Sequence, residues 1–237
     1  MKTSAIDFFL SAIALGLAVG LSIFAIVVLH SFGTPQLLGT GQVALDVLAF
    51  LFMFGLSCGF GCQLIARLGF LPPGQYDMNS RVFTAWKLFN VLFEFGRGAL
   101  LPFTTVVARP LVARLFGTRL GKDVALAGRL FDPQLIRLGD EVGVGHGSVL
   151  TAHTIISGRI TLRPIEVGDG ATIGVNAVVM AGAHIGAGSI VTPCSVVQPN
   201  TRIPPGELWG GAPAERIKLL RPSTLGGDVV PGTRTGG

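Results

Sequence analysis

Apolar residues keep two different rhythms along this chain. Residues 8–29, "FFLSAIALGLAVGLSIFAIVVL", run for 22 positions without a charge, and residues 47–66, "VLAFLFMFGLSCGFGCQLIA", for another 20. Each run is long enough to cross a bilayer as a helix. From Leu120 the pattern changes, and a residue of one character returns every sixth position: Leu120, Leu126, Asp132, Leu138, Val144, Leu150. After a break it resumes at Val167, Ile173, Val179, Ile185, Val191, Val197, Ile203 and Trp209. Only Asp132 is out of character. Glycine often follows the apolar position, and the fifth position of the second block is usually small: Ala171, Ala177, Ala183, Ser189, Ser195, Thr201, with Glu207 a looser fit.

A period of six gives no single helical stripe. It fits a short strand and a corner, with positions one and five on the same inward face and glycine relieving the turn. An internal repeat of this kind decides the fold. Seventeen residues separate Leu150 from Val167, one short of three hexapeptides, so the beat slips by one just after His153. The slip predicts that "IISGRITLRP" leaves the repeat as a short loop and walls a cleft beside that histidine.

The stretches "IGVNAVVMAGAHIGAGSIV" and "WGGAPAERIK" resemble the hexapeptide-repeat acyltransferases. The resemblance covers roughly residues 115–220. It implies a mainly β fold, a left-handed parallel β-helix with three hexapeptides per coil and between four and five coils, assembled as a homotrimer. The expected organisation is a two-helix transmembrane hairpin (1–70), interfacial connecting helices (71–118), the β-helix domain (119–221) and a disordered tail (222–237).

Composition supports the membrane hairpin. The 237 residues are 49% hydrophobic and only 13% charged, and the mean hydropathy is +0.63. Both apolar runs carry Gly-xxx-Gly, at Gly16/Gly20 and Gly55/Gly59, a spacing that lets helices approach closely. The linker 31–45 has no Lys or Arg, whereas Arg67, Arg81, Lys87, Arg97, Arg109, Arg114, Arg119 and Lys122 follow the second run. The positive-inside rule then puts both chain ends and the repeat domain on the cytoplasmic side of the inner or plasma membrane. The net charge of +5 reads as topology and contact with anionic membrane lipid; no nucleic-acid recognition motif accompanies it. Three cysteines make no disulfide framework, and Cys58 and Cys62 read as small packing residues with no metal site around them.

Transfer of an acyl group from a thioester to a hydroxyl requires a base for the acceptor proton, and histidine suits neutral pH. Of four histidines, His30 ends the first apolar run and His184 reads as an outward surface residue. His153 precedes the break and has outward parity, facing a neighbouring subunit in a trimer. "AH" followed by "RPIEVG" resembles the galactoside and maltose O-acetyltransferases, which implies that His153 is the general base. His146, in "GVGHGSV", is the second catalytic candidate, and Asp140 and Glu141 are candidate orienters of an imidazole. The resemblance further implies an acetyl-CoA cosubstrate along the late coils, at Gly182, Ser195, Gly210, Gly211 and Lys218, with Arg216 and Arg221 nearby. The acceptor is expected to be a hydroxylated small molecule or glycan. "GTRLGKDV" and the paired spans are also similar to the C-terminal membrane domains of poly-lysine-type peptide synthetases. That similarity implies an alternative, amide formation from carrier-bound aminoacyl thioesters with a carrier or synthetase partner. A non-catalytic trimeric scaffold is the third reading.

Overall fold

The computed structural model describes residues 4–32 and 41–220, and builds a helical layer followed by a β-solenoid. The centre of the first linker, the tail 222–237 and Arg221 lie outside the described residues. Helix α1 (Ala5–Ser31) and helix α2 (Gln42–Arg67) are each long and apolar enough to cross a membrane. Helix α1 starts at a reciprocal cap, in which Ser4 accepts from the first turn and Asp7 accepts from the Ser4 backbone. Much of its apolar surface, including Phe8, Phe9, Leu17, Leu21 and Phe24, is exposed. At the far end of the hairpin His30 Nε2 lies 2.8 Å from Asp46 Oδ1, and Gln42 donates to the same oxygen at 2.7 Å.

Residues 71–118 are more than connecting helices. A short strand, β1 (Gly74–Asp77), precedes helix α3 (Arg81–Ala99), which Ser80 caps by accepting from Phe83 N at 3.2 Å. Helix α3 buries Phe83, Trp86, Phe89, Phe93 and Gly96. It runs antiparallel to α2: Phe89 meets Cys62, Gly96 meets Cys58, and Leu100 meets Gly55. A short 3₁₀ turn (Leu101–Phe103) and helix α4 (Arg109–Leu115) follow. Gly55 and Gly59 seat Leu100 and Leu115, so this Gly-xxx-Gly works inside the layer, while Gly16 and Gly20 meet nothing within 4 Å. Cys58 and Cys62 are buried between α2 and α3 and act as small packing residues. Lys87 of α3 pairs with Asp7 of α1, tying all three helices.

The repeat region forms a parallel solenoid with three faces of five, five and four strands, matching the fourteen hexapeptides. A final antiparallel strand (Glu215–Leu219) covers the last strand (Glu207–Gly210) of one face. Inward residues fall where the six-residue beat puts them, and Val167, Ile173, Val179, Ile185, Val191, Val197 and Ile203 are all buried.

Two features of the register differ from the sequence reading. Glu166 pairs with His184, eighteen positions on, whereas Arg137 pairs with Glu166, twenty-nine on. The break after Leu150 is therefore an eleven-residue insertion rather than a one-residue slip; a deficit of one and an excess of eleven share one remainder modulo six. The inserted chain is a hairpin, β2 (His153–Ile156) and β3 (Arg159–Leu162), turned at Ser157 and Gly158. Both turn residues have positive φ, as a two-residue type I′ turn requires. Strand β1 pairs with β3 and completes a three-stranded antiparallel sheet, so the hairpin is anchored to the helical layer.

The second difference is at Asp132. Leu130, not Asp132, occupies the inward slot, paired with Leu150. The beat shortens to four residues between Leu126 and Leu130, then lengthens to eight before Leu138. An inward carboxylate would be surrounded by aliphatic groups and lack partners, which is costly. The shift releases Asp132 from the prism interior.

The corners are sterically closed. A Cβ on Gly174 would lie 2.4 Å from Pro193 N, and this contact is to backbone that cannot turn away. Gly174→Ala should therefore cost about 1–3 kcal/mol by overpacking. Gly98→Ala, on open helix surface with nothing within 4 Å, should change stability by less than about 1 kcal/mol and in the stabilising direction. Denaturant melts in detergent check the contrast, and equal effects would contradict the corner packing.

Candidate functional site

Asp132 sits in left-handed conformation (φ 58°) just ahead of a short 3₁₀ turn (Pro133–Leu135). Its side chain is completely buried beneath α3. Trp86 Nε1 donates to Oδ1 at 2.7 Å, and His153 Nδ1 lies 2.5 Å from Oδ2. A buried carboxylate is stable only when donors satisfy it, and here each oxygen has one. The Trp86 indole also lies edge-on to the His153 ring, with centroids 5.0 Å apart, and stacks on Phe83 at 5.6 Å. Three separate elements therefore converge: α3 brings Trp86, the third prism strand (Arg129–Phe131) ends just before Asp132, and the hairpin begins at His153.

The carboxylate fixes the imidazole. It can only accept, so a neutral His153 carries its proton on Nδ1 and leaves the lone pair on Nε2. No described residue hydrogen-bonds Nε2. The ring is 23% exposed, enough for a small molecule to reach. An Asp–His arrangement of this kind can orient a base and can stabilise the imidazolium formed when a base takes a proton.

The sequence candidates separate around this site. His153 packs on Trp86 of the helical layer of its own chain. Asp140 and Glu141 are not its orienters. Asp140 Oδ1 accepts from Lys122 N at 2.7 Å, and Glu141 has φ 56°; both build a corner. His146 is exposed at a corner, where its carbonyl accepts from Asn176 N at 3.0 Å. It lines a cavity of about 400 Å³ between α3, α4 and the first coils. His184 is a half-exposed surface residue 3.4 Å from Glu166. Of the residues the resemblance gave to acetyl-CoA, Ser195, Gly210 and Gly211 meet at one corner. Ser195 is buried, accepting from Gly211 N at 3.2 Å and bonding Thr192 Oγ1 at 2.8 Å, so its hydroxyl serves the coil. Gly182 lies on another corner, beside Asn200 and Arg163. Lys218 lies on the covering antiparallel strand, opposite Leu208, and Arg216 pairs with buried Glu207 at 3.0 Å.

Trp86 and Asp132 were missed as site residues. The signal for Asp132 was present as the single polar residue on an apolar beat. Nothing local marked Trp86, because it reaches the site across 46 positions.

Fold and geometry together define a hexapeptide-repeat solenoid with a helix-capped Asp–His pair at its inserted hairpin. Residues 164–205 match the family described as bacterial transferase hexapeptide (six repeats). Gamma carbonic anhydrase 2, mitochondrial, from Arabidopsis thaliana is 36% identical over 83 residues, covering 35% of this chain and 26% of that protein. Delta-poly-L-ornithine synthetase from Acinetobacter baumannii is 24% identical over 215 residues, covering 86% of this chain and 15% of the synthetase. The chain thus spans about a quarter or less of the length of the curated relatives it matches. Among solved structures, a hexapeptide-repeat-containing acetyltransferase from Vibrio cholerae aligns with a TM-score of 0.44 at 23% identity, over 49% of this chain and 82% of that one. Among the described residues of one chain, no three His, Cys, Asp or Glu side chains gather as a metal site.

Removing the indole donor isolates the carboxylate. Trp86→Phe keeps the ring but leaves Asp132 Oδ1 buried without its partner, which should cost about 1–3 kcal/mol. In a double-mutant cycle with Asp132→Asn, measured by denaturant unfolding, the two losses should be strongly non-additive. Additive losses would show that Trp86 and Asp132 are not coupled.

Proposed function

We propose that this chain is a membrane-anchored acyltransferase in which His153 is the general base, oriented by Asp132. The observation that supports it is the 2.5 Å contact between His153 Nδ1 and a carboxylate with no solvent exposure. In this reading Nε2 takes the proton from an acceptor hydroxyl as its oxygen attacks the thioester carbonyl. The tetrahedral intermediate collapses, the thiolate leaves, and the imidazolium returns the proton to sulfur. The donor is acetyl-CoA, held along the late coils near Gly182, Gly210, Gly211 and Lys218, with a saccharide or similar hydroxyl as acceptor. A homotrimer would bring neighbouring prisms together around that groove. The hairpin 1–70, the helical connection 71–118 and the repeat domain 119–221 are the working units of this reading, with the repeat domain cytoplasmic.

A second reading has its own observation. The synthetase match runs through both the helical layer and the solenoid, over 86% of the chain. On that reading the same base serves an amine, a carrier-bound aminoacyl thioester is the donor, and the product is an amide. Free CoA binding separates the two, since the amide reading does not require it.

Base catalysis of this kind is worth roughly 10²- to 10⁴-fold. His153→Ala should lower turnover by about that factor while leaving donor binding, read by calorimetry with acetyl-CoA, nearly unchanged. His146→Ala should lose far less. Near-normal transfer by His153→Ala with abolished transfer by His146→Ala would reverse the assignment. The topology predicts that reporters fused to either terminus read cytoplasmic; an external C-terminal reporter would remove access to cytosolic acyl-CoA and overturn the donor.

A further inference from the structure

The helical layer carries a second feature that the acyl-transfer reading does not use. Between Arg97 and Arg109 the sequence "GALLPFTTVVA" has eleven uncharged residues. This segment turns α3 back into α4, and its apolar side chains stand exposed: Leu101 at 60%, Val106 at 71% and Val107 at 85%. Leu100, just before the turn, packs at Gly55, near the middle of α2. If α2 crosses the bilayer, the turn enters it from the prism side and leaves again, and Arg97 and Arg109 bracket the uncharged segment on its way in and out. Long cationic side chains at such positions lay their apolar stems along the protein and reach with the charged head toward lipid phosphate.

The cavity between α3, α4 and the first coils lies beside this turn, with Leu101 and Thr104 in its lining. Its wall is apolar, with Phe93, Leu101, Val112 and Phe116, yet Arg97, Arg109 and Arg129 all line it. One carboxylate faces these three guanidinium groups: Glu94 pairs with Arg97 at 2.7 Å and with Arg129 at 3.9 Å. Among the described residues Arg109 donates only to a backbone carbonyl, Ala127 O at 3.3 Å. The lining therefore carries an excess of two positive charges over an apolar floor. Guanidinium forks suit phosphate oxygens, and the floor suits acyl chain.

We propose that this cavity seats an anionic membrane lipid, its phosphate held by Arg97, Arg109 and Arg129 and its acyl chain lying against Phe93, Leu101, Val112 and Phe116. The proposal rests on the membrane reading of α1 and α2, but not on acyl transfer. The cavity is lined by Phe131 and Pro133, the two neighbours of Asp132, so an occupant lies against the segment that orients His153.

The test uses the full chain purified in a neutral detergent. Short-chain phosphatidylglycerol is titrated against phosphatidylcholine of the same chain length, and the unfolding temperature is followed, since a ligand of the native state must raise it. Phosphatidylglycerol should stabilise the protein and phosphatidylcholine should not. Arg97→Gln with Arg109→Gln should weaken the effect about tenfold or more in lipid concentration, as expected for lost charged hydrogen bonds. Arg129→Gln, at a half-exposed position with little bearing on folding, should give a smaller shift in the same direction. His153→Ala should bind the lipid as the unaltered chain does, so a failed acyl-transfer assay leaves this result standing. Equal stabilisation by phosphatidylcholine, or by inorganic phosphate alone, would overturn the lipid assignment. Displacement of the lipid by CoA would overturn it too and make the cavity a donor site. Reporters that place α1 and α2 outside the bilayer would remove the membrane reading itself, a result this titration does not supply.

Discussion

The structure depends on how one carboxylate is kept buried. Asp132 has no contact with water, and burial of an ionised group is tolerated only when its oxygens are bonded. Its two donors come from opposite layers of the molecule, an indole on α3 and an imidazole at the start of the inserted hairpin. Neither donor can leave without isolating the charge. The helical layer and the solenoid are therefore held in one relative position by electrostatics as well as by packing, and the third tie is the β1–β3 pairing. A solenoid made only of hexapeptides would have no need for the helices. This one requires them, because its polar residue is completed from outside the coil.

Much of the fold was legible because a six-residue period has few physical solutions. The inward aliphatic positions from Val167 to Ile203 are buried as the beat requires, and the count of fourteen strands follows from the count of repeats. The apolar runs likewise mark α1 and α2. Periodicity fails where it is read modulo six: an insertion of eleven and a deletion of one leave the same phase, so a hairpin looked like a slip. At Asp132 the sixfold count was followed through a place where the chain takes four residues and then eight. The polar residue was the visible sign that the count had moved. Asp140 and Glu141 were nearer in sequence to the histidines, but corner geometry already used both. Trp86 was beyond reach, since its role rests on a contact between layers that no local pattern encodes.

The buried side of helix α3 has two separate tasks. Phe89 and Gly96 lie against Cys62 and Cys58 of α2 and set its depth beside the first apolar hairpin. Trp86 faces the solenoid and donates to Asp132, the carboxylate that holds His153. Small residues make this possible: a Cβ on Gly96 would lie 2.5 Å from Cys58 Cβ, so a larger residue would force α3 away from α2. A shift of that size would be carried through a rigid helix to the indole, and the hydrogen bond from Trp86 tolerates little displacement before it weakens. Positioning of His153 is thus coupled to packing at the helices that carry the exposed apolar surface.

The short segment 129–133 joins these levels. Leu130 fills the prism, Asp132 turns into the site through its left-handed backbone, and Phe131 and Pro133 line the cavity under α3 and α4. Strand parity alone would send Asp132 inward with Leu130. The positive φ redirects it, and left-handed backbone is accessible to aspartate more readily than to most residues. Pro133 follows with its fixed φ and starts the 3₁₀ turn that restores the beat at Leu138. The departure from the repeat is therefore compact: it begins after Leu126, ends before Leu138, and within that span converts a structural coil into one that presents a buried carboxylate to a histidine 21 positions further on.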